Sequence, residues 1–230
     1  MKSFRPLKRR IATGITLALL VTLGGCASLS PVAYSGLASS SKLRPSAAGP
    51  TSRTPYAYDT DVNWRRYYKA ILDPVEIYDG PDAQFVKLGM EDREKLADYM
   101  AEQFSLELGK EFELTDSAEA AALRVHLTLT GASPSKAVLG PLSRFDLAGG
   151  SYNAFQGIRG KEGTMTGSVI YAVEIYDSMS NKLLHAEVAK QYPNALNIGA
   201  SFGALTAPMT GIRKGAVDLR ETLTSRNRPR

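Results

Sequence analysis

The sequence predicts an α+β fold: a two-layer sandwich in which two helices pack on one face of a mostly antiparallel sheet of about four strands. Three observations favour this fold. Segments with a period of two residues, rich in β-branched and aromatic side chains, predict the strands. Two segments with apolar residues three and four positions apart predict the helices. The elements follow the order strand, helix, strand, hairpin and helix.

The first predicted strand lies in YYKAILDPVEIY, residues 67–78. Its alternation slips at Asp73-Pro74, and proline cannot donate to a strand ladder, so we expect a bulge or a sheet edge there. The first helix is predicted over residues 91–109, with an acidic first turn and Gly109 just past its end. Its apolar stripe consists of Leu96, Tyr99, Met100, Phe104 and Leu108.

ALRVHLTLTG, residues 122–131, alternates apolar and polar residues, which indicates a strand with one solvated face. Residues 167–192 are predicted to form a hairpin with a loop at 178–181, in which Asn181 takes the left-handed backbone conformation. The strand register then pairs Ile175 with Leu184, Val173 with Ala186 and Tyr171 with Val188, and places Glu174 opposite His185 on the solvated face.

A second apolar stripe predicts a C-terminal helix that begins near Pro208, because proline is tolerated in a first turn. The stripe consists of Leu205, Met209, Ile212, Ala216, Leu219 and Leu223.

The N-terminus has the pattern of a secretory signal peptide. Residues 1–10 carry five basic residues and no acid, and the uncharged run of residues 11–23 is too short to span a bilayer, which takes about 20 residues. A signal anchor or a buried helix is the alternative. The chain has 28 basic and 23 acidic residues; without the five in the signal, the two numbers are equal, so charge gives no support for a nucleic-acid partner.

Residues 27–62 are rich in serine and proline and lack apolar periodicity, which predicts a flexible tether that reaches roughly 30–35 Å. We therefore expect a signal peptide at 1–25, a tether at 26–62 and a single domain at 63–230, which is long enough for its own core.

The candidate catalytic and metal-binding residues are weak. GASFG, residues 199–203, matches the G-x-S-x-G nucleophile motif, but both histidines precede Ser201, contrary to the order in that hydrolase fold. His126 and His185 are too few to form a metal site, which needs three or four ligands. We expect no enzyme activity, no metal and no cofactor.

The long segment 132–165 is the candidate interaction loop, because loops of this length inside a compact domain are usually functional. Its apolar side chains either meet a partner or cover the open face of the sheet. The residues chosen as contacts are Leu139, Leu142, Phe145, Tyr152 and Phe155.

LGGC, residues 23–26, resembles the lipobox of bacterial lipoproteins. The resemblance implies that Cys26, the single cysteine, carries lipid, that the signal is removed before it, and, with Ala27 next, that the chain is anchored in the outer membrane facing the periplasm. Two acyl chains suffice for stable anchoring.

AYSGLASSSKLRP (33–45), the 67–78 segment and GSVIYAVEIYDSMSNKLL (167–184) resemble a bacterial lipoprotein family catalogued as domain of unknown function 3313. The resemblance implies no catalytic residue, but it implies that part of the tether packs on the domain. Three functions stay open: an envelope protein that acts by protein interaction or assembly, a periplasmic glycan- or peptidoglycan-binding module suggested by the 11 tyrosines, and a serine hydrolase.

Overall fold

A computed structural model describes residues 29–135, 167–194 and 203–227. This part of the chain is an α+β fold with a mixed sheet of nine strands and two long helices. The strands are β1 (Arg44–Pro45), β2 (Tyr56–Asp59), β3 (Lys69–Leu72), β4 (Glu76–Ile77), β5 (Gln84–Phe85), β6 (Glu113–Leu114), β7 (Ala122–Ser133), β8 (Ser168–Asp177) and β9 (Leu183–Gln191). The helices are α1 (Met90–Leu108) and α2 (Thr206–Asn227), with a 3₁₀ turn at Trp64–Arg66.

The sheet has the order β1-β2-β9-β8-β7-β3-β6, and β4 and β5 also pair with β7. The pairs β1–β2, β2–β9, β9–β8 and β8–β7 are antiparallel, whereas β3, β4 and β5 run parallel to β7, and β6 runs parallel to β3. The prediction of about four mostly antiparallel strands is therefore wrong. A helix that crosses between two neighbouring strands leaves them parallel, and α1 lies between β3 and β7 in the chain.

The irregularity predicted at Asp73-Pro74, a bulge or a sheet edge, separates β3 from β4. Asp73 still donates its backbone N–H to the carbonyl of Val125, whereas Pro74 has no N–H to give. Pairing with β7 resumes at Glu76, one residue out of step with β3. The slip in the sequence pattern thus marks a real irregularity in the sheet.

Both helices pack on one face of the sheet, as their stripes predict. Leu96, Met100, Phe104 and Leu108 of α1 and Ile212, Ala216, Leu219 and Leu223 of α2 are buried in one cluster. The sheet contributes the apolar residues that alternation assigns to one face of β7, together with alternate residues of β8: Leu123, Val125, Leu127, Leu129, Val169, Tyr171, Val173 and Ile175.

The second face of the sheet is covered by the chain that precedes β1. We call residues 29–43 the strap. Tyr34, Leu37 and Leu43 of the strap are buried against Ile170, Ala172, Ala186 and Val188. The folded unit consequently begins at or before Leu29, and the boundary predicted at residue 63 is too late. The strap also explains why Thr128 and Thr130, expected on a solvated face, are buried.

Tyr78 fastens the strap to the sheet. Its hydroxyl donates to Asp82 Oδ1 at 2.5 Å and accepts the backbone N–H of Gly36 at 3.0 Å. A Cβ on Gly36 would lie 2.8 Å from the Tyr78 ring, so this approach needs a glycine. The segments 33–45 and 67–78, both singled out in the sequence analysis, are therefore in contact through Gly36 and Tyr78.

The β8–β9 hairpin has the predicted turn but not the predicted register. Asn181 has a φ of 54°, as expected, and Tyr176 pairs with Leu183. A bulge at Leu184 then shifts the pairing by one residue, so that Ile175 pairs with His185 and Val173 with Glu187. A one-residue slip moves a strand's side chains to the other face. Ala186 therefore lies on the strap side.

The expectation that Glu174 is solvated is also wrong. Glu174 is 2% exposed, pairs with Ala186, and accepts the backbone N–H of Ser39 at 2.6 Å. His185 instead pairs across the sheet with Asp59 of β2.

Helix α2 packs close to the sheet through two glycines one turn apart, Gly211 and Gly215. A Cβ on Gly215 would lie 1.9 Å from the Tyr171 hydroxyl, and one on Gly211 would lie 2.9 Å from Val169 Cγ1. Both neighbours belong to buried residues that cannot easily move aside.

We therefore expect Gly215→Ala to lower the free energy of unfolding by about 1–3 kcal/mol, because overpacking outweighs the gain in helix propensity. Urea denaturation followed by circular dichroism measures it. Gly89→Ala, at the N-cap of α1 where a Cβ would meet nothing within 4 Å, is the control for a glycine without close packing and should cost only the small difference between glycine and alanine as N-caps, below about 1 kcal/mol. Equal stability of the two variants would contradict the close packing of α2.

Candidate functional site

Most of the residues proposed from the sequence lie outside the described part of the chain. These are Cys26, Ser201 and the five interaction-loop residues Leu139, Leu142, Phe145, Tyr152 and Phe155. They stay predictions. Both histidines are described, and each lies near carboxylates, although His185 does not contact Glu174, which the predicted register placed opposite it.

A polar cleft of about 620 Å³ opens where the C-terminal end of α2 meets the chain that leaves β2. Trp64, the single tryptophan, forms its floor, being 8% exposed beneath Arg226, whose guanidinium lies 5.0 Å from the ring centroid. The lining residues are Asp59, Thr60, Val62, Asn63, Trp64, Arg65, Ser225 and Arg226.

A buried histidine stands behind the cleft. His185 Nδ1 lies 2.8 Å from Asp59 Oδ1, so this nitrogen carries the proton that Asp59 accepts. The same carboxylate oxygen accepts a hydrogen bond from Arg226 at 2.7 Å. On the other side of the ring, Nε2 lies 3.4 Å from Glu187 Oε2, too poorly aligned for a full hydrogen bond. Asp59 thus joins β9 to α2.

Asp59 attracts both His185 and Arg226, whereas the Arg226 charge opposes protonation of His185. The hydrogen bond from His185, followed by the Arg226 charge, lowers the pKa of Asp59 to about 2. Burial disfavours the charged imidazolium, but the hydrogen bond to Asp59 and the nearby Glu187 outweigh it and raise the pKa of His185. The cluster therefore stabilises the imidazolium near neutral pH.

This geometry is a poor acid–base device. A general base needs a free nitrogen within reach of substrate, whereas His185 is 3% exposed with one nitrogen on Asp59 and the other facing Glu187. The hydroxyls that line the cleft are also engaged, since Thr60 donates to the Leu184 carbonyl and Ser225 to the Thr222 carbonyl, both at 2.8 Å. The arrangement of Asp59, His185 and Arg226, which we call the latch, instead fits a structural contact that ties β2 and β9 to α2, with a polar recess outside it.

A second recess of about 390 Å³ adjoins the first across the segment 61–67. At its centre, Asp177 accepts hydrogen bonds from the backbone and side chain of Ser180 and from the Tyr67 hydroxyl, with Arg66 at 3.2 Å. The Ser180 backbone N–H, with Tyr67 and Arg66, lowers the pKa of Asp177 to about 2. This network holds the hairpin turn, and Met179 projects from that turn with 66% of its surface exposed.

His126 lies between Asp73 and Glu76, with nitrogen-to-oxygen distances of 3.7 and 3.4 Å. Across residues 29–135, 167–194 and 203–227, no group of three histidine, cysteine or carboxylate side chains is arranged to hold a metal ion. No described helix is long and apolar enough to cross a membrane.

Sequence reasoning missed Asp59, Trp64 and Arg226. The Asp59–His185 contact spans 126 positions, and Asp59 lies in a segment assigned to a flexible tether. The one available signal was compositional: a lone tryptophan in an Asp- and Arg-rich stretch, DTDVNWRR, just after the serine-rich region.

Residues 33–219 match the family described as protein of unknown function (DUF3313). The chain belongs to the DUF3313 family. The match begins inside the strap and ends in α2, so DUF3313 includes both the strap and the helices that enclose the sheet. No protein in the curated set matches the chain.

Similar solved structures are distant. A PelC dodecamer from Paraburkholderia phytofirmans is 10% identical, with 76% of this chain and 96% of that chain covered and a TM-score of 0.35. A DUF4136 family protein from Bacteroides thetaiotaomicron is 14% identical, with coverage of 76% and 98% and a TM-score of 0.35. A DUF330 protein from Xanthomonas campestris is 8% identical, with coverage of 70% and 86% and a TM-score of 0.33. These scores are too low to carry an argument about function.

The latch should make stability depend on pH at both ends of the scale. A lowered pKa stabilises the fold above the ordinary carboxylate pKa, so the Asp59 contribution is lost as pH falls from about 4 to about 2. A raised pKa stabilises the fold below the ordinary histidine pKa, so the His185 contribution is lost as pH rises above about 6.5.

Asp59→Asn should lower the free energy of unfolding at pH 6 by about 1 kcal/mol, a modest value because Asp59 is half-exposed, and should flatten both pH-dependent losses. Urea titrations between about pH 2 and about pH 9, a range that brackets the titration of both groups, measure this. Asp61→Asn, two residues on and exposed, is the control. An unchanged pH profile in Asp59→Asn would rule out the latch.

Proposed function

We propose that this DUF3313 protein is a lipid-anchored component of the bacterial cell envelope that acts by protein interaction or assembly, without a catalytic step. Two features support the proposal. The basic N-terminus and the short apolar run predict a signal peptide, and the resemblance of LGGC to a lipobox implies lipid attachment at Cys26 in the outer membrane, facing the periplasm. The length of the segment that connects the paired strands β7 and β8 supports an interaction role.

The observation that carries the interaction role is the closeness of the two ends of the long segment between β7 and β8. These strands are antiparallel neighbours, and Ser133 pairs directly with Ser168. A tight turn of about two to five residues connects such a pair in an ordinary hairpin. Residues 134–167 therefore exceed by far what the connection requires, and extra length of this kind commonly serves binding.

The tyrosines, which suggested a glycan-binding alternative, are mostly used in packing. Tyr34, Tyr67, Tyr78, Tyr171 and Tyr192 are each less than 10% exposed, as core residues. Tyr68 is the most exposed aromatic residue in the described part of the chain, at 59%, and it stands beside Lys69 instead of lining a recess. An aromatic platform for sugar rings is not assembled by these residues. Pull-down with isolated sacculi separates this alternative from protein interaction.

Lipid attachment is tested at Cys26. Cys26→Ser removes the thiol to which diacylglycerol would be joined, so we expect no incorporation of an alkyne fatty acid and accumulation of the unprocessed precursor. Metabolic labelling and the shift in mass of the mature chain measure both effects. Ser28→Ala, which leaves Cys26 in place, is the matched control. Label that persists in Cys26→Ser would overturn the lipoprotein proposal.

The interaction role is tested by shortening the β7–β8 connection. Replacing residues 136–165 with a four-residue Gly-Ser turn keeps the Ser133–Ser168 pair and should be tolerated by the hairpin (turn length about two to five residues). The interaction role expects a melting temperature within about 4 °C of the wild type, corresponding to roughly 1 kcal/mol, and loss of envelope crosslinks in intact cells.

The alternative reading of the same segment, that its apolar side chains cover the domain, expects a larger fall in melting temperature. Retention of both stability and crosslinks would show that the segment is not the interaction site. Asp59→Asn in the full-length chain serves as a control for crosslinks lost through mild destabilisation alone.

A further inference from the structure

The start of the strap is fixed to the sheet. Lys190 Nζ donates a hydrogen bond to the carbonyl of Leu29 at 2.6 Å, and Gln84 Nε2 donates to the carbonyl of Ser30 at 2.9 Å. Lys190 is 5% exposed, so peeling Leu29 away would deprive a buried ammonium of this acceptor. Leu29 also packs against the buried cluster on the second face of the sheet. The chain is thus part of the fold from Leu29 onward.

Cys26 lies three residues before this fixed point. An extended chain advances at most about 3.6 Å per residue, so the sulfur-bearing residue stays within about 10 Å of Leu29 whatever conformation the intervening residues adopt. This covalent limit is much shorter than the tether of roughly 30–35 Å that the serine- and proline-rich composition predicted.

We propose that the domain lies directly against the lipid surface of the membrane, with one defined end of the sheet toward the bilayer. This inference rests on the proposed lipid anchor at Cys26. The membrane-facing end, which we call the strap end, carries Leu29, the end of β7 at Ser133, the start of β8 at Ser168 and the end of β9 at Gln191. The opposite end, the turn end, carries the β8–β9 turn.

The exposed side chains near Leu29 suit a lipid headgroup region. Val32 follows in the strap, Val86 comes directly after β5, and Met90 begins α1, with exposures of 36%, 36% and 57%. Lys87, also exposed, lies between Val86 and Met90. Apolar side chains interleaved with a lysine can enter the interface between headgroups and acyl chains while the ammonium stays in water.

The orientation determines where the polar cleft points. His185 lies at the start of β9 and Lys190 near its end, about 17 Å apart at the rise of an extended strand. Helix α2 runs antiparallel to β9, because Gly211 lies against Gln191 at the strap end whereas Arg226 reaches Asp59 near the turn end. The cleft and Met179 therefore face away from the bilayer, toward the periplasm.

Fluorescent reporters on the lipidated protein test the orientation. In vesicles of phosphatidylethanolamine and phosphatidylglycerol, Val32→Cys and Val86→Cys report on the strap end, and Met179→Cys reports on the turn end. All three positions are exposed, and an alkylated Cys26 does not react with maleimide dyes. Energy transfer to a headgroup acceptor should place Met179 about 25 Å farther from the lipid surface than Val32, as strands of ten and nine residues require.

A linker variant separates the covalent tether from other causes of orientation. Inserting about 20 Gly-Ser residues between Ser28 and Leu29 adds roughly 25 Å of flexible reach, so the difference between Val32 and Met179 should shrink. Mass spectrometry first establishes whether Cys26 carries lipid. An unlipidated Cys26 refutes the anchor and, with it, the proposed function.

A lipidated protein in which Val32 and Met179 lie equally far from the headgroups, or Met179 lies nearer, refutes only the orientation and leaves the anchor standing. An orientation that the linker leaves unchanged refutes the short connection as its cause.

Discussion

The fold depends on covering a sheet that is apolar on both faces. In β8, alternate residues point to opposite sides, yet nearly all of them are buried: Val169, Tyr171, Val173 and Ile175 face the helices, and Ile170 and Ala172 face the strap. A two-layer sandwich would leave Ile170 and Ala172 in water. The strap supplies the missing third layer, and Tyr78, Asp82 and Gly36 hold it in place. A strand that is apolar on both faces thus requires a covering segment, and the strap that supplies it shows no apolar period in its own sequence.

The latch of Asp59, His185 and Arg226 does a related task at the turn end. Strand β2 joins the sheet through only four residues, and such a short strand contributes few ladder hydrogen bonds. Asp59, at its last position, receives hydrogen bonds from β9 and from α2 at once. The latch therefore ties β2 to both the sheet and the helical layer, through charge instead of apolar area.

The sequence predicted the elements whose apolar residues repeat with the spacing of a helix or a strand. Both helices, β7 and the hairpin turn with Asn181 follow from local patterns, and the apolar stripes match the buried residues closely. Strands of two residues, such as β1, β4, β5 and β6, are too short to show any alternation. The bulge at Leu184 was equally invisible, because an extra residue is recognised only against the partner strand. Composition was misleading in the strap. Its serines suggested disorder, yet the backbone N–H of Ser39 donates a hydrogen bond to the buried Glu174. In the candidate site, the sequence analysis considered His185 but did not identify Asp59 and Arg226 as its neighbours.

The strap contacts residues that are remote in the sequence, which bears on the order in which the chain folds. Ser39 contacts Glu174 across 135 positions, and Leu29 contacts Lys190 across 161. The strap leaves the ribosome before the strands on which it packs, so it can take its place only after residues as late as Lys190 have followed it. Contacts between such remote positions delay folding. The layer that covers the second face of the sheet is therefore the last part of the described fold that can be completed, although its residues are among the first of that part to be synthesised.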